Sequence, residues 1–421
     1  MSPSTVSIVI FVAVIVLFLL DKLPSGTVAL MGLTAMLAFK CCTTAEALSG
    51  FASDTFILLL GMLIIGEALF SSGAAEFIGF YAIKFSEDNE RLFILIACVI
   101  AALMSAFLTN TAVIAMLMSV CLSASVGSKN MKYRNLVVPV AIAAILGGHC
   151  TLVGSTTQLT ANGLLNDATG LSFGMWDLLK VCGPITIVTI TYMVTVGYRR
   201  GIKVWGDRSD DFSGAKSIDS DKAVLSQKAK IALGIFALVI VLFITNVFPT
   251  GVVAMIGAIL CIVTGCISQK EAFKKIDWNT IIWLCSCLGI GKALNASGGA
   301  SVIAGKLLAV FNGEGSKMVF FAAMVLVTMI MSEFMSNMAC LLIIMPATLQ
   351  LAVANGINPY SMAYGMCLGA ALTYATPLAN GHIGMTMSAG YRFSDYLKYG
   401  IIPSIIAYVM IVLLTPVFYP L

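Results

Sequence analysis

The sequence predicts an all-α polytopic membrane protein of two inverted repeats. Each repeat has five transmembrane helices, one of them broken at mid-membrane, plus one re-entrant hairpin. Three observations lead there. The 421 residues are 59% hydrophobic and only 10% charged, where a soluble chain carries about 25% charged residues. The heptapeptide M-S-x-F-x-[ST]-N occurs twice, at 104–110 and 331–337. Lys and Arg crowd into one set of the loops between apolar runs.

In the first half, apolar runs place spans at 5–20, 25–41, 53–72, 133–165 and 175–197. Runs of about 20 apolar residues match the hydrocarbon core, and short alternating strands would be needed for a barrel. The first run follows MSPSTVS, with no basic residue and no A-x-A site, so a retained helix is expected. The 12 cysteines sit mostly inside apolar runs without metal or disulfide spacing, and read as small apolar filler.

The heptapeptide is one of several echoes. Pro24-Ser25-Gly26 is answered by Pro249-Thr250-Gly251, and Glu46-Ala47 by Glu271-Ala272. Gly147-x-x-x-Thr151 is answered by Gly369-x-x-x-Thr373, and Gly170-x-x-Phe173 by Gly390-x-x-Phe393. The order is kept, which chance matches would not do. Residues 1–198 therefore form a first repeat with a hairpin at 92–122. Residues 231–421 form a second, with a hairpin at 317–354. The polar stretch 199–230 is the expected linker.

An odd number of spans per repeat turns the second repeat upside down. With the linker in the cytoplasm, all but Lys40, Lys180, Lys292, Lys306 and Lys317 of the 24 Lys and Arg fall in cytoplasmic loops. That is the positive-inside bias of a cell (inner or plasma) membrane protein, and it puts both termini outside. Inverted repeats are a common build of secondary transporters, with the binding site at mid-membrane. Trp176, Trp283 and Tyr198 are expected as anchors at the membrane interface.

A small polar residue and an Asn at a hairpin tip gather side-chain and backbone oxygens, a ligand set for a hard cation such as Na⁺. The half-helix that follows offers free N–H groups and about half a positive charge to an anion. Downstream of each tip, 147–158 and 373–382 are rich in Gly, Ser, Thr and Pro, which interrupt helices and free backbone groups.

The two tips, Gly154-Ser155-Thr156-Thr157-Gln158, Ala375-Thr376-Pro377 and the ending Gly390-Tyr391-Arg392-Phe393 together resemble the divalent anion/sodium symporter (DASS) family of the ion-transporter superfamily, over nearly the whole chain. The resemblance implies one Na⁺ site at Ser105, Asn110 and the Gly154 backbone. It implies another at Ser332, Asn337 and the Ala375 backbone. It implies substrate contacts from Asn110, Thr111, Ser155, Asn337, Met338, Thr376 and Pro377. It also implies elevator-type movement and a homodimer. Na⁺ would be a coupling ion, and the cargo a small di- or tricarboxylate or related divalent anion. The chain departs from the family where Thr109 begins the first tip, where Thr156-Thr157-Gln158 replaces T-P-P-N, and where Met338 lacks a hydroxyl. One lost hydrogen bond to a charged group costs about 1.5–3 kcal/mol.

His149, His382 and Glu333 lie beside these elements and are candidates for proton coupling or for capping freed backbone groups. They carry the alternative reading, a proton-coupled or exchange-type carrier of sulfate or another inorganic oxyanion. An enzyme is not expected, because G-x-S-x-G, H-E-x-x-H and paired membrane aspartates are missing. No P-loop points to ATP drive. A passive channel is a further rival. No nucleic-acid partner is expected; the bilayer, Na⁺ and a small anion are.

Overall fold

The computed structural model describes residues 2–20, 22–73, 85, 89–127, 130–205, 226–245, 247–276, 278–299, 302, 316–377 and 381–421. Every regular element among them is helical. The first series is α1 (Pro3–Leu20), α2 (Ser25–Ala38), α3 (Thr44–Leu48), α4 (Asp54–Ser71), α5 (Glu90–Ser105), α6 (Asn110–Gly127), α7 (Tyr133–Gly148), α8 (Thr156–Thr169), α9 (Leu179–Val194) and α10 (Val196–Trp205). The second is α11 (Gln227–Thr245), α12 (Thr250–Val263), α13 (Gln269–Lys275), α14 (Trp278–Ala296), α15 (Lys317–Ser332), α16 (Asn337–Ala354), α17 (Pro359–Ala371), α18 (Gly381–Gly384) and α19 (Phe393–Phe418). Each heptapeptide falls at a break, between α5 and α6 and between α15 and α16. The helices are also interrupted where the sequence suggested, between α7 and α8 and between α17 and α18.

The sequence echoes have local causes. The Glu-Ala pairs open short helices. Thr43 and Glu46 form a capping box at α3, and Ser268 Oγ accepts from the Glu271 N–H at α13. Both helices lie between expected spans, and hydropathy alone does not reveal them. The Pro-x-Gly pairs start α2 and α12, and each start is held by the other half. Asn279 Oδ1 accepts from the Gly26 N–H at 2.9 Å, and Asp54 Oδ1 from the Gly251 N–H at 3.1 Å. The two halves interlock accordingly: α2 packs on α14, and α4 on α12. At Gly61 an added Cβ would lie 2.6 Å from the Ala254 backbone, so only glycine lets α4 approach this closely.

A second group of helices gathers around the tips. Here α5 and α6 pack on α7, α15 and α16 on α17, and α8 on α16 and α17. The two groups meet along a seam in which α14 touches α8 and α16.

Four expectations need correction. Only four described helices, or five if the bent pair counts as one span, are long and apolar enough to cross a bilayer. The expected spans at 25–41 and its counterpart are 14-residue helices. That is about 21 Å, short of a hydrocarbon core of about 30 Å. The linker boundary at 198/199 is also displaced. The chain bends by 54° after α9 and continues as α10 to Trp205, and α11 begins at Gln227 rather than 231. The remainder of the expected linker, 206–225, lies outside the described residues. Trp205 is buried; its Nε1–H donates to Asn135 Oδ1 at 3.0 Å, and its ring lies 4.8 Å from that of Tyr399. Trp283 is also buried, so it is a packing residue and not an interface anchor. Tyr198 donates to Glu90 and lies under the Arg91 guanidinium.

Candidate functional site

At the first tip, α5 ends at Ser105 and α6 begins at Asn110. Ser105 Oγ donates to Asn110 Oδ1 at 2.5 Å, and both residues are buried. Asn110 Oδ1 sits where a Cβ on Gly148 would fall, at 2.0 Å. A Cβ on Gly154 would meet the Gly148 carbonyl at 2.3 Å and the Ser105 carbonyl at 2.7 Å. Glycine at both positions lets these oxygens crowd into one place. Ser105, Asn110 and Gly154 thus come together as expected, and the Gly148 carbonyl joins them. Such an all-oxygen set suits a hard cation.

The second tip repeats the arrangement. Ser332 Oγ lies 2.9 Å from Asn337 Oδ1 and 2.7 Å from the Ala370 carbonyl. Ala370 and Gly148 occupy matching positions at the ends of α17 and α7. Both carbonyls escape sequence reasoning, although aligning Gly147-Gly148 with Gly369-Ala370 would find them. Ala375 reaches this tip through its N–H, which donates to Glu333 Oε1 at 3.0 Å.

The two breaks are held differently. In the second, the Glu333 carboxylate accepts from the Ala375 and Thr376 N–H groups, and Thr376 Oγ1 donates to the Glu333 carbonyl at 2.5 Å. In the first, buried Gln158 donates from Nε2 to the Gly148 carbonyl at 2.6 Å and the Thr151 carbonyl at 2.9 Å. Thr151 Oγ1 in turn donates to the Ala106 carbonyl. A carboxylate ties free donors in one half, and an amide ties free acceptors in the other. His149 Nδ1 lies 2.6 Å from the Ile145 carbonyl, so this imidazole caps a freed acceptor. Asn110 Nδ2, His149 Nε2 and Gln158 Oε1 are buried around the first break without a hydrogen-bond partner among the described residues.

A cavity of about 360 Å³ opens beside the first tip. Asn110, Thr111, Gly154, Ser155 and His382 line it. The residues at the N-termini of α6 and α8, Thr109–Thr111 and Ser155–Thr156, form part of this lining. Two helix N-termini supply N–H donors and partial positive charge without any arginine. Thr111 Oγ1 lies 3.0 Å from His382 Nδ1, which ties the first tip to the second break. Asn337, Met338, Thr376 and Pro377 do not line this cavity. The lining also holds residues the sequence did not single out: Glu67, Lys275 and Thr280. Lys275 Nζ lies 2.6 Å from Glu67 Oε1 and 3.5 Å from Glu271.

The chain resembles known transporters along nearly its whole length. An uncharacterized transporter of Synechocystis is 20% identical over 94% of this chain and 94% of its own. The sodium-dependent dicarboxylate transporter SdcS of Staphylococcus saprophyticus is 21% identical over 85% of this chain and 75% of its own. The YdaH transporter of Alcanivorax borkumensis shares the fold, with a TM-score of 0.65 at 13% identity over 99% of this chain and 98% of that one. The protein is therefore a multi-pass membrane transporter. The family model described as "Citrate transporter" matches residues 15–312 and 290–420, and the chain belongs to that family, CitMHS.

Proposed function

We propose that the protein is a Na⁺-coupled symporter of a small di- or tricarboxylate, working by elevator-type alternating access. The observation that carries this reading is the cavity where two helix N-termini converge beside a crowded set of oxygens. Na⁺ binds at Ser105, Asn110 and the Gly148 and Gly154 backbone, and at Ser332, Asn337 and the Ala370 and Ala375 backbone. The anion binds in the cavity against Asn110, Thr111 and Ser155. At about 360 Å³ the cavity falls at the small end of ligand pockets, roughly 300–1,000 Å³. Asn337, Met338, Thr376 and Pro377 form the matching surface at the second tip. Without a hydroxyl at Met338, that surface grips an anion less strongly. Glu333 and His149 hold backbone, and His382 orients the Thr111 hydroxyl.

The architecture fits the same reading. The halves up to Trp205 and from Gln227 onward are inverted repeats, with re-entrant hairpins at 92–122 and 317–354. The linker between α10 and α11 is cytoplasmic, both termini are outside, and two copies form a homodimer. The helices around the tips travel against the interlocked helices of the other group.

A proton-coupled or exchange-type carrier of sulfate or another oxyanion is the second reading. The Thr111–His382 contact favours it, because a titratable ring bridges the two halves at the cavity.

Uptake into proteoliposomes separates them. Under an imposed Na⁺ gradient, citrate or succinate should accumulate. Asn110→Ala and Asn337→Ala should each cut that uptake at least tenfold while the protein stays monodisperse. Accumulation that follows a pH gradient and ignores Na⁺ selects the second reading.

A further inference from the structure

The stretch Gly66-Glu67-Ala68-Leu69 of α4 is matched in α14 by Gly291-Lys292-Ala293-Leu294. The halves thus carry opposite charges at one repeat position, and both are engaged. Glu67 pairs with Lys275 in the wall of the cavity. Lys292 Nζ lies 3.1 Å from Asp167 Oδ1, and the Asp167 side chain is only 11% exposed.

The second pair sits at a telling place. Asp167 is on α8, whose first residue, Thr156, lines the cavity. Eleven residues of helix put Asp167 about 16 Å away along the axis, at the far end from the cavity. Its partner belongs to α14, which packs on α2 and α3, whereas α8 packs on α16 and α17. The ion pair therefore crosses the seam between the two helix groups. Below it the seam is tight and apolar. An added Cβ would lie 2.4 Å from Leu288 Cδ2 at Gly163, and 3.2 Å from Leu164 Cδ2 at Gly291. Small residues let α8 and α14 approach closely, with Leu288 seated on Gly163 and Leu164 on Gly291.

We propose that Asp167 and Lys292 form a latch that holds the seam shut at the face opposite the cavity, and that the latch must open for the cavity to change sides. The inference rests on the alternating-access reading. The latch sets the population of the cavity-open state; it touches neither ion nor anion, so both are positioning residues. A half-buried pair at the edge of an apolar seam loses less to solvent screening than an exposed one, and its release strands Asp167 where water is scarce.

The test reads that population directly. Ala115, on α6, is exposed in the cavity wall. Labelling of Ala115→Cys by a bulky maleimide reports the cavity-open state. The cysteines described are buried except Cys42, which is half-buried, so mass spectrometry can follow the new site. Asp167→Asn and Lys292→Gln should each slow labelling on the order of threefold to tenfold. The double neutral variant should slow it no more than the worse single one, and Asp167→Lys with Lys292→Asp should restore it. Unchanged labelling in both single variants overturns the latch. So does additive loss in the double neutral variant, which remains decisive if the reversed pair fails to fold. The assay contains no substrate, so it holds whichever ion or anion is carried. A protein that labels as expected yet ignores Na⁺ and carboxylates refutes the proposed function and leaves the latch in place.

Discussion

At the scale of single residues, the two breaks solve one problem with opposite chemistry. A helix interrupted inside a membrane leaves donors on one side of the gap and acceptors on the other, and each must find a partner. Glu333 takes the donors of Ala375 and Thr376; Gln158 serves the acceptors of Gly148 and Thr151. The position matching Glu333 is Ala106, which offers only its carbonyl, to Thr151. Glu333 therefore has a structural task, and its replacement tests it. Glu333→Gln keeps the shape but replaces one acceptor oxygen with an NH₂ group facing an N–H. Loss of a charged hydrogen bond to a buried donor costs about 1.5–3 kcal/mol. The variant should melt well below the wild type in detergent, with or without Na⁺. A melting point equal to wild type, together with a changed pH dependence of uptake, would mean that Glu333 carries protons instead. The sequence exposed Glu333 because a charge in an apolar heptapeptide is conspicuous. Gln158 drew attention only as part of a family pattern, since an uncharged amide gives no sign of what it will hold.

At the scale of elements, the breaks were legible and the lengths were not. Gly, Ser, Thr and Pro clusters mark the stretches between α7 and α8 and between α17 and α18, because these residues weaken a helix wherever they stand. The short α3 and α13, the 14-residue α2 and α12, and the continuation of α10 to Trp205 depend on contacts that no hydropathy window contains. Trp205 belongs to the folded body because Asn135 and Tyr399, distant in the chain, wait for it. The close approach at the first tip is likewise a property of two elements together. Gly148 ends α7 against the start of α6, and a methyl there would overlap Asn110 Oδ1 at 2.0 Å. The matching residue of the second half is Ala370, so that site already accommodates the methyl. Gly148→Ala should displace Asn110 and remove part of the Na⁺-induced rise in melting temperature, a rise that binding produces by mass action. If the full rise survived, the crowded oxygens at Gly148 would not be holding the ion.

At the scale of the molecule, the echoes pointed to two similar halves but not to how the halves interlock. Similarity between halves is a statement about each half, whereas α2 on α14 and α4 on α12 are statements about both. Neither α2 nor α4 has its main packing partner within its own half. The helix starts are shared too. Asp54 accepts from Gly251 and Thr250, and Asn279 accepts from Gly26. Further along, the Tyr360 hydroxyl of the second half donates to Asp177 of the first at 2.6 Å. A half-molecule would expose the glycine-lined face of α4 at Gly61 and leave the Gly26 or Gly251 N–H without its acceptor from the other half. The expected consequence is specific. Residues 1–205 and 226–421, expressed separately, should each aggregate on extraction into mild detergent. Expressed together from two genes, they should co-purify as one monodisperse species that still binds Na⁺, because the interlocking surfaces do not depend on a covalent joint. Halves that were each monodisperse alone would mean that the cross-packing contributes little, and that each repeat completes its fold before the two meet.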